Sequence, residues 1–298
     1  MIKRVFLLLG FLFCTVTVFA HDGQSHTVDQ PEKIPYVQLS ANFSVPQIHW
    51  VMEKGDNFVW FIDRVFEAQI YATVVDTQDL DAAIANTIPI LSNETFGAPF
   101  IETRIGRTTG TWTVQLFKSG DSSVTAYAML QSGQAYVVIF EEYSADYEAY
   151  QYPIRPQSFD EAQSLIAISD ASMEAVQTVF PDENYGEAKN ITFPNPSNTL
   201  WVQANHEGDN GSITTASFLF DDIVFVTMLR GSNDITSTLS NAFDTVFLGF
   251  VILPNNSEYL YLGLTFAAVI MLVLIGSMWL RYRNILKDME LVEQLAEE

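Results

Sequence analysis

Cysteine and positive charge are the two things this 298-residue sequence has least of. It contains one Cys, Cys14, so no disulfide framework can hold it together. Lys and Arg number 14 against 36 Asp and Glu, for a formal net charge of -22. A surface that negative repels phosphate, which disfavours binding to bare nucleic acid or to an anionic membrane face. Histidine occurs only as His21, His26, His49 and His206. The G-x-x-x-x-G-K-S/T loop that cradles nucleotide phosphates is missing, and so are the G-x-S-x-G and Ser-x-x-Lys arrangements that activate a serine.

What is present is apolar bulk: 48% of the residues are hydrophobic and mean hydropathy is +0.14, unlike an acidic disordered chain. Charge and hydrophobicity separate along the chain. Residues 1–20 carry Lys3 and Arg4 and no acid, and residues 281–298 carry 3 basic and 5 acidic groups. The other 9 basic and 31 acidic groups all fall in residues 21–258, whose own balance is -22.

The two ends predict topology. Residues 1–20 (MIKRVFLLLGFLFCTVTVFA) have a basic start, an apolar run and Val18-Phe19-Ala20 in the place of a signal-peptidase site, so a signal peptide ending at Ala20 is expected. Residues 259–280 (YLYLGLTFAAVIMLVLIGSMWL) contain no charge and are long enough to span about 30 Å of hydrocarbon as a helix. Tyr259, Tyr261 and Trp279 mark its edges, and Arg281, Arg283 and Lys287 follow it. That order predicts one transmembrane helix with its C-terminal side in the cytoplasm and residues 21–258 outside the cell membrane. In the tail, 281–298, Ile285, Met289, Val292 and Leu295 recur at helical spacing, either as a solvated continuation of the helix or as a docking face for a partner in a membrane complex.

The exported segment has no cysteine, which favours a bacterial protein with a core large enough to need no staples. Asn42, Asn93, Asn190, Asn210 and Asn255 each open an N-x-S/T triplet, which matters only where the host glycosylates. Residues 21–35 have little apolar content and read as a flexible arm. A first α+β unit is expected over 36–150: strands NFVWFID and EAQIYATVV, a short helix from Asp79 to Leu91, then TWTVQLFK, SVTAYAMLQ and AYVVIFEEY with Gly-containing turns between them. A linker over 151–158 precedes a second unit over 159–252, again a helix followed by strands and closed by another helix. TWTVQLFKSGD (111–121) lies on TLWVQANHEGD (199–209) at an offset of 88, placing Val114 on Val202 and Gly120 on Gly208. After a one-residue insertion Tyr136 falls on Phe225 and Val137 on Val226. The fold class expected is therefore α+β, with two tandem related units of antiparallel sheet packed with helices, plus the C-terminal membrane helix.

NFVWFID ending in Asp63, the D-x-x-A-A-I helix, G-T-W-T opening a three-strand meander and AYVVIFEE together resemble the PsbP/Mog1-like α/β/α sandwich domain. The version it looks most like is the accessory module that precedes some bacterial serine hydrolases of the β-lactamase-like class. The resemblance covers about residues 37–145 and, more loosely, 160–250. It implies a non-catalytic binding or accessory role, and the hydrolase that often follows such a module is not in this chain.

No catalytic, cofactor-binding or metal-ligating residue is assigned. His49 sits in a strand-like apolar context and reads as structural; His206, beside Glu207 and Asp209, reads as an exposed turn residue. Asp79 and Asp81 read as helix-start residues, and HEGDNGS (206–212) lacks the acid spacing of a calcium loop. Glu141-Glu142 and Asp221-Asp222 read as solvated strand ends. The expectation is a non-enzymatic, membrane-anchored binding or accessory protein without a cofactor, acting on an unidentified protein or small ligand. Two alternatives stay open. One is a hydrolase built on His49 or His206. The other is copper binding at the α-amine and imidazole of a mature His21, with Asp22 and His26 in reach.

Overall fold

The structure is a computed structural model that describes residues 26–27, 33–36, 41–44, 50–108, 110–156, 164–186, 189–194, 200–209, 211–231, 236–252 and 257–296. The expected signal segment, together with His21, Asp22 and His49, lies outside the described residues. The chain divides into two compact units, Met1–Ile252 and Leu253–Glu298.

The first unit opens with β1 (His26–Thr27), β2 (Lys33–Tyr36), β3 (Ala41–Ser44), β4 (Trp50–Lys54), β5 (Phe58–Asp63) and β6 (Ala68–Val75). Helix α1 (Leu80–Leu91) leads to β7 (Ile101–Arg107), β8 (Gly110–Ser119), β9 (Ser122–Gln131), β10 (Gln134–Tyr143) and β11 (Glu148–Ile154). Helix α2 (Ser164–Val179) leads to β12 (Lys189–Pro194), β13 (Leu200–Gly208), β14 (Gly211–Phe220) and β15 (Ile223–Arg230). Helix α3 (Thr236–Gly249) and β16 (Val251–Ile252) close it. The strands make an eight-stranded antiparallel sheet ordered β1-β4-β5-β6-β10-β9-β8-β7 and a five-stranded one ordered β11-β15-β14-β13-β12. A small third sheet joins β16, β3 and β2. This is the α+β architecture read from the sequence.

The two main sheets share one plan. A first strand, a helix and a four-strand run give the order β6-β10-β9-β8-β7 in one and β11-β15-β14-β13-β12 in the other, with α1 and α2 at the same point of each. The hairpin registers repeat as well. Leu130 faces Ala135 as Leu219 faces Val224, and Ser119 faces Ser122 as Gly208 faces Gly211, every partner advancing by 89. The offset of 88 for the first strand is thereby corrected to 89, and no insertion is needed. Identical letters favoured 88, but a one-residue slip turns every side chain to the opposite face. At 89, Trp112 falls on Trp201, and each stands across from the preceding strand, opposite Ile105 and Phe193 respectively. Both β9–β10 and β14–β15 turn through two residues with positive φ, Ser132 and Gly133 (54° and 82°) and Asp221 and Asp222 (51° and 59°). These are the mirror-image turns whose twist matches paired strands.

Each sheet is covered on both faces, so β8, β9 and β10 are buried along most of their length rather than at alternate positions. On the outer face of the eight-stranded sheet α1 sets Ala83, Ile84 and Ile88 against Val124, Ala126, Val137 and Ile139. Asp79 caps that helix by accepting the Ala82 N–H at 3.1 Å, as the sequence predicted for Asp79 or Asp81. Helix α3 lies between the sheets. Phe247 meets Tyr127 at 4.4 Å and Trp112 at 5.3 Å from one sheet and Phe225 at 5.8 Å from the other, while Phe243 meets Phe140 at 5.8 Å. The Arg107 guanidinium stands 4.8 Å from the Phe247 ring and 5.4 Å from that of Phe220, clamping β7 to the second sheet. Helix α2 covers the far face of the five-stranded sheet, where Ser172 donates to Thr215 at 3.0 Å.

Two expectations need correction here. The stretch 151–158 is no linker in its first half: Gln151–Ile154 belong to β11, paired along β15. Residues 157–158 lie outside the described residues. The free edge of β11 lies across the first sheet, where the Ser123 hydroxyl bonds both the N–H (3.0 Å) and the C=O (3.1 Å) of Ala149, and the Thr125 hydroxyl accepts the Gln151 N–H at 3.0 Å. Two prolines suggested a loop, but Pro153 is tolerated because β11 is an edge strand. The stretch 21–35 is likewise not simply an arm: His26–Thr27 pair with β4, and Lys33–Pro35 pair with β3. Ladder pairing uses the backbone, so a polar sequence does not prevent it.

The second unit is one helix, α4 (Ser257–Ala296), 40 residues long. Its segment Tyr259–Met289 contains an 18-residue stretch with a mean hydropathy of 2.3, and it is the one helix, among the described residues, long and apolar enough to cross a membrane. A helix of that length measures about 60 Å against about 30 Å of hydrocarbon.

Candidate functional site

Where the β8–β9 and β13–β14 turns converge with the β10–β11 connection, the first unit holds a polar cavity of about 310 Å³. Its walls are fixed by backbone. The N–H of Ser144 donates to the carbonyl of Asp121 at 2.9 Å, and that of Gly231 to the carbonyl of Ser212 at 3.1 Å. Gly231 has φ +140°, and a Cβ there would come within 2.8 Å of the Tyr147 Cβ, so only glycine lets the end of β15 lie against the connection.

An alternating row of charges runs along this cavity. Lys118 of β8 pairs with Glu148 of β11, and Arg230 of β15 pairs with Glu183 in the segment after α2. The Arg230 Nη1 stands 3.8 Å from Glu148, too far for a hydrogen bond. Tyr150 donates to Glu148 at 3.3 Å, and Tyr185 donates to Glu183. The two phenols are raised above their ordinary range, first by burial and then by the carboxylates beside them. The Arg230 guanidinium lies 5.4 Å from the centre of the Phe180 ring, within cation–π reach. Asp121 and Asp146 stand exposed at the rim.

Next to the cavity the first sheet buries two glutamates that the sequence read as solvated, and this is a correction. Glu141 is 1% exposed and accepts from Ser122 and Gln69. Glu142 is 0% exposed, and neither of its oxygens has a hydrogen-bond partner. Burial pushes Glu142 up to about 8; the neighbouring Tyr147 hydroxyl opposes that rise, and Asp63, Glu67 and Glu141 add to it. It stands across Ala68 from Asp63, which stands opposite Trp50, so the row Trp50, Asp63, Ala68, Glu142 runs across four strands. Asp63 Oδ1 caps the following turn by accepting the Val65 N–H at 2.8 Å; its Oδ2 has no partner. Acids at strand ends are exposed in an isolated hairpin, but here the two point to opposite faces: Gln69, itself bonded to the Leu91 carbonyl at the end of α1, covers Glu141, and the β10–β11 connection with Tyr147 covers Glu142.

The remaining candidates do not assemble into a catalytic group. His206 is 2% exposed under α2, not an exposed turn residue; burial lowers its pKa, and its Nε2 is 3.4 Å from the Thr215 hydroxyl. Its neighbours in that network are Thr215, Ser172 and Ser217, all buried, with no carboxylate among them. Asp221 is in the hairpin turn, where it accepts from Thr108 at 3.0 Å. Asp81 accepts from Gln115 at 2.9 Å. His26 is in β1 while His21 and Asp22 lie outside the described residues, so the copper reading has no geometry. No group of three or more His, Cys, Asp or Glu is placed to hold a metal among the described residues. Sequence reasoning missed Lys118, Glu148 and Arg230. The one available signal was scarcity, since each cation is conspicuous in a segment with 9 basic and 31 acidic groups.

No protein-family model matches the chain, and no curated protein matches it.

Proposed function

We propose that the protein is a single-pass, membrane-anchored binding or accessory protein whose body, Met1–Ile252 less its signal peptide, works on the outer side of the membrane. The observation that carries this is the junction of an acidic two-sheet body with a 40-residue helix that holds, within Tyr259–Met289, a stretch long and apolar enough to cross a membrane. Arg281, Arg283 and Lys287 on its C-terminal side favour a cytoplasmic tail. The body would bind at the cavity between the sheets and has no catalytic role. A PsbP/Mog1-like ancestry is part of this reading. A sheet with helices on both faces is what that resemblance implies, and α1 and α3 flank the first sheet as α2 and α3 flank the second. The test is alkaline extraction of membranes: the full chain stays in the pellet, and a chain ending at Ile252 is released. Release of the full chain would refute the anchor.

A further inference from the structure

We infer that the cavity between the two hairpin turns binds a small zwitterion, a free α-amino acid or a dipeptide, with the ligand carboxylate on Arg230 and its ammonium toward Asp121 and Asp146. This rests on reading the body as a binding module. Arg230 is built as a receptor rather than only as a surface ion. Its Nη2 pairs with Glu183 and its guanidinium lies 5.4 Å from the Phe180 ring centre, while Nη1 stands 3.8 Å from Glu148, an ion pair without a hydrogen bond. A guanidinium whose Nη1 makes no hydrogen bond in the free protein can turn its donors to a carboxylate in two-point fashion.

The remaining lining selects the rest of the ligand. Lys118 and Arg230 face Glu148, Asp121 and Asp146, so the lining carries one more negative than positive charge. A simple anion is therefore repelled, and the net field of the body strengthens that repulsion. A diamine meets two cations. A molecule with both signs satisfies both ends. The cavity, about 310 Å³, lies at the small end of ligand pockets, which suits an amino acid or dipeptide. Its walls are set by backbone pairing at Ser212 and Gly231, so little ordering is needed on binding.

The experiment is isothermal calorimetry on the detergent-solubilised full chain with alanine, glutamate and dialanine, each compared with succinate, 1,4-diaminobutane and glucose. Binding of at least one zwitterion is expected, with every single-sign or neutral probe about tenfold or more weaker. Arg230→Gln should weaken the zwitterion about tenfold or more, with partial rescue by Arg230→Lys, while Arg104→Gln leaves it unchanged. Asp146→Asn, at an exposed rim position outside the ion-pair row, should weaken it as well and decides the matter should Arg230→Gln fail to fold. No heat with any zwitterion, or equal binding of succinate or glucose, overturns the assignment. Membrane extraction is independent of the cavity, so a failed ligand class with an intact anchor separates this inference from the reading beneath it.

Discussion

Glu142 is the residue at which sequence and structure part most sharply. A carboxylate in water titrates near 4.5, and the pocket behind the β10–β11 connection lifts this one to about 8. The folded state therefore holds the proton more tightly than the unfolded chain between those two values. Stability is greatest below about 4.5 on this account and falls as pH rises through 8, because the folded protein must then carry an unpaired buried charge. Glu142→Gln keeps the shape and removes the titration. Denaturant unfolding at a series of pH values should show the wild type losing stability across that window and the variant losing much less. At pH 9 the variant should be the more stable by on the order of 2–4 kcal/mol. A variant less stable than wild type at pH 9 would mean that Glu142 has a partner when ionised. None of this was legible in the letters Glu-Glu, since burial at a strand end depends on a connection that returns from the other sheet.

Elements with strong periodicity were legible: β5, β6, β8, β9, β10, β13, β14, β15 and α1 all fall where the residues predicted them. Those missed are informative. Strand β7 alternates exposed polar with partly buried positions at a sheet edge and has a single buried residue, Ile105, so its apolar signal is thin. Strand β11 contains Pro153, and its free-edge polar groups are satisfied by Ser123 and Thr125 rather than by another strand. Such hydroxyl caps cannot be inferred from spacing. Ser123→Ala leaves the Ala149 N–H and C=O without that partner and should cost about 1–3 kcal/mol. Helix α3 carries the core between the sheets, and Phe247 touches aromatic rings from both. Phe247→Ala should cost about 3–5 kcal/mol, measured by thermal or urea unfolding. A loss below about 1 kcal/mol would show that α3 does not join the sheets.

At the scale of the whole molecule, the charge of -22 and the apolar C-terminal run sit apart: an acidic two-sheet body, and one helix with a stretch long and apolar enough to cross a membrane. The sheets, the helices and the long apolar C-terminal helix could be read from pattern. The cavity could not, because Glu148 and Arg230 meet only once β11 pairs along β15, and Lys118 of the first sheet reaches Glu148 only in the assembled fold. The 89-residue register supports one ancestral unit used twice, with the cavity at the equivalent turn ends of the two copies. Central to the account is that the body and the tail lie on opposite sides of a membrane. Sequential labelling with a membrane-impermeant maleimide tests it most directly, in a Cys14→Ser background with Asp56→Cys in the body or Asp288→Cys in the tail. Position 56 should label in intact cells and position 288 only after permeabilisation; labelling of 288 in intact cells, or protection of 56, would contradict it.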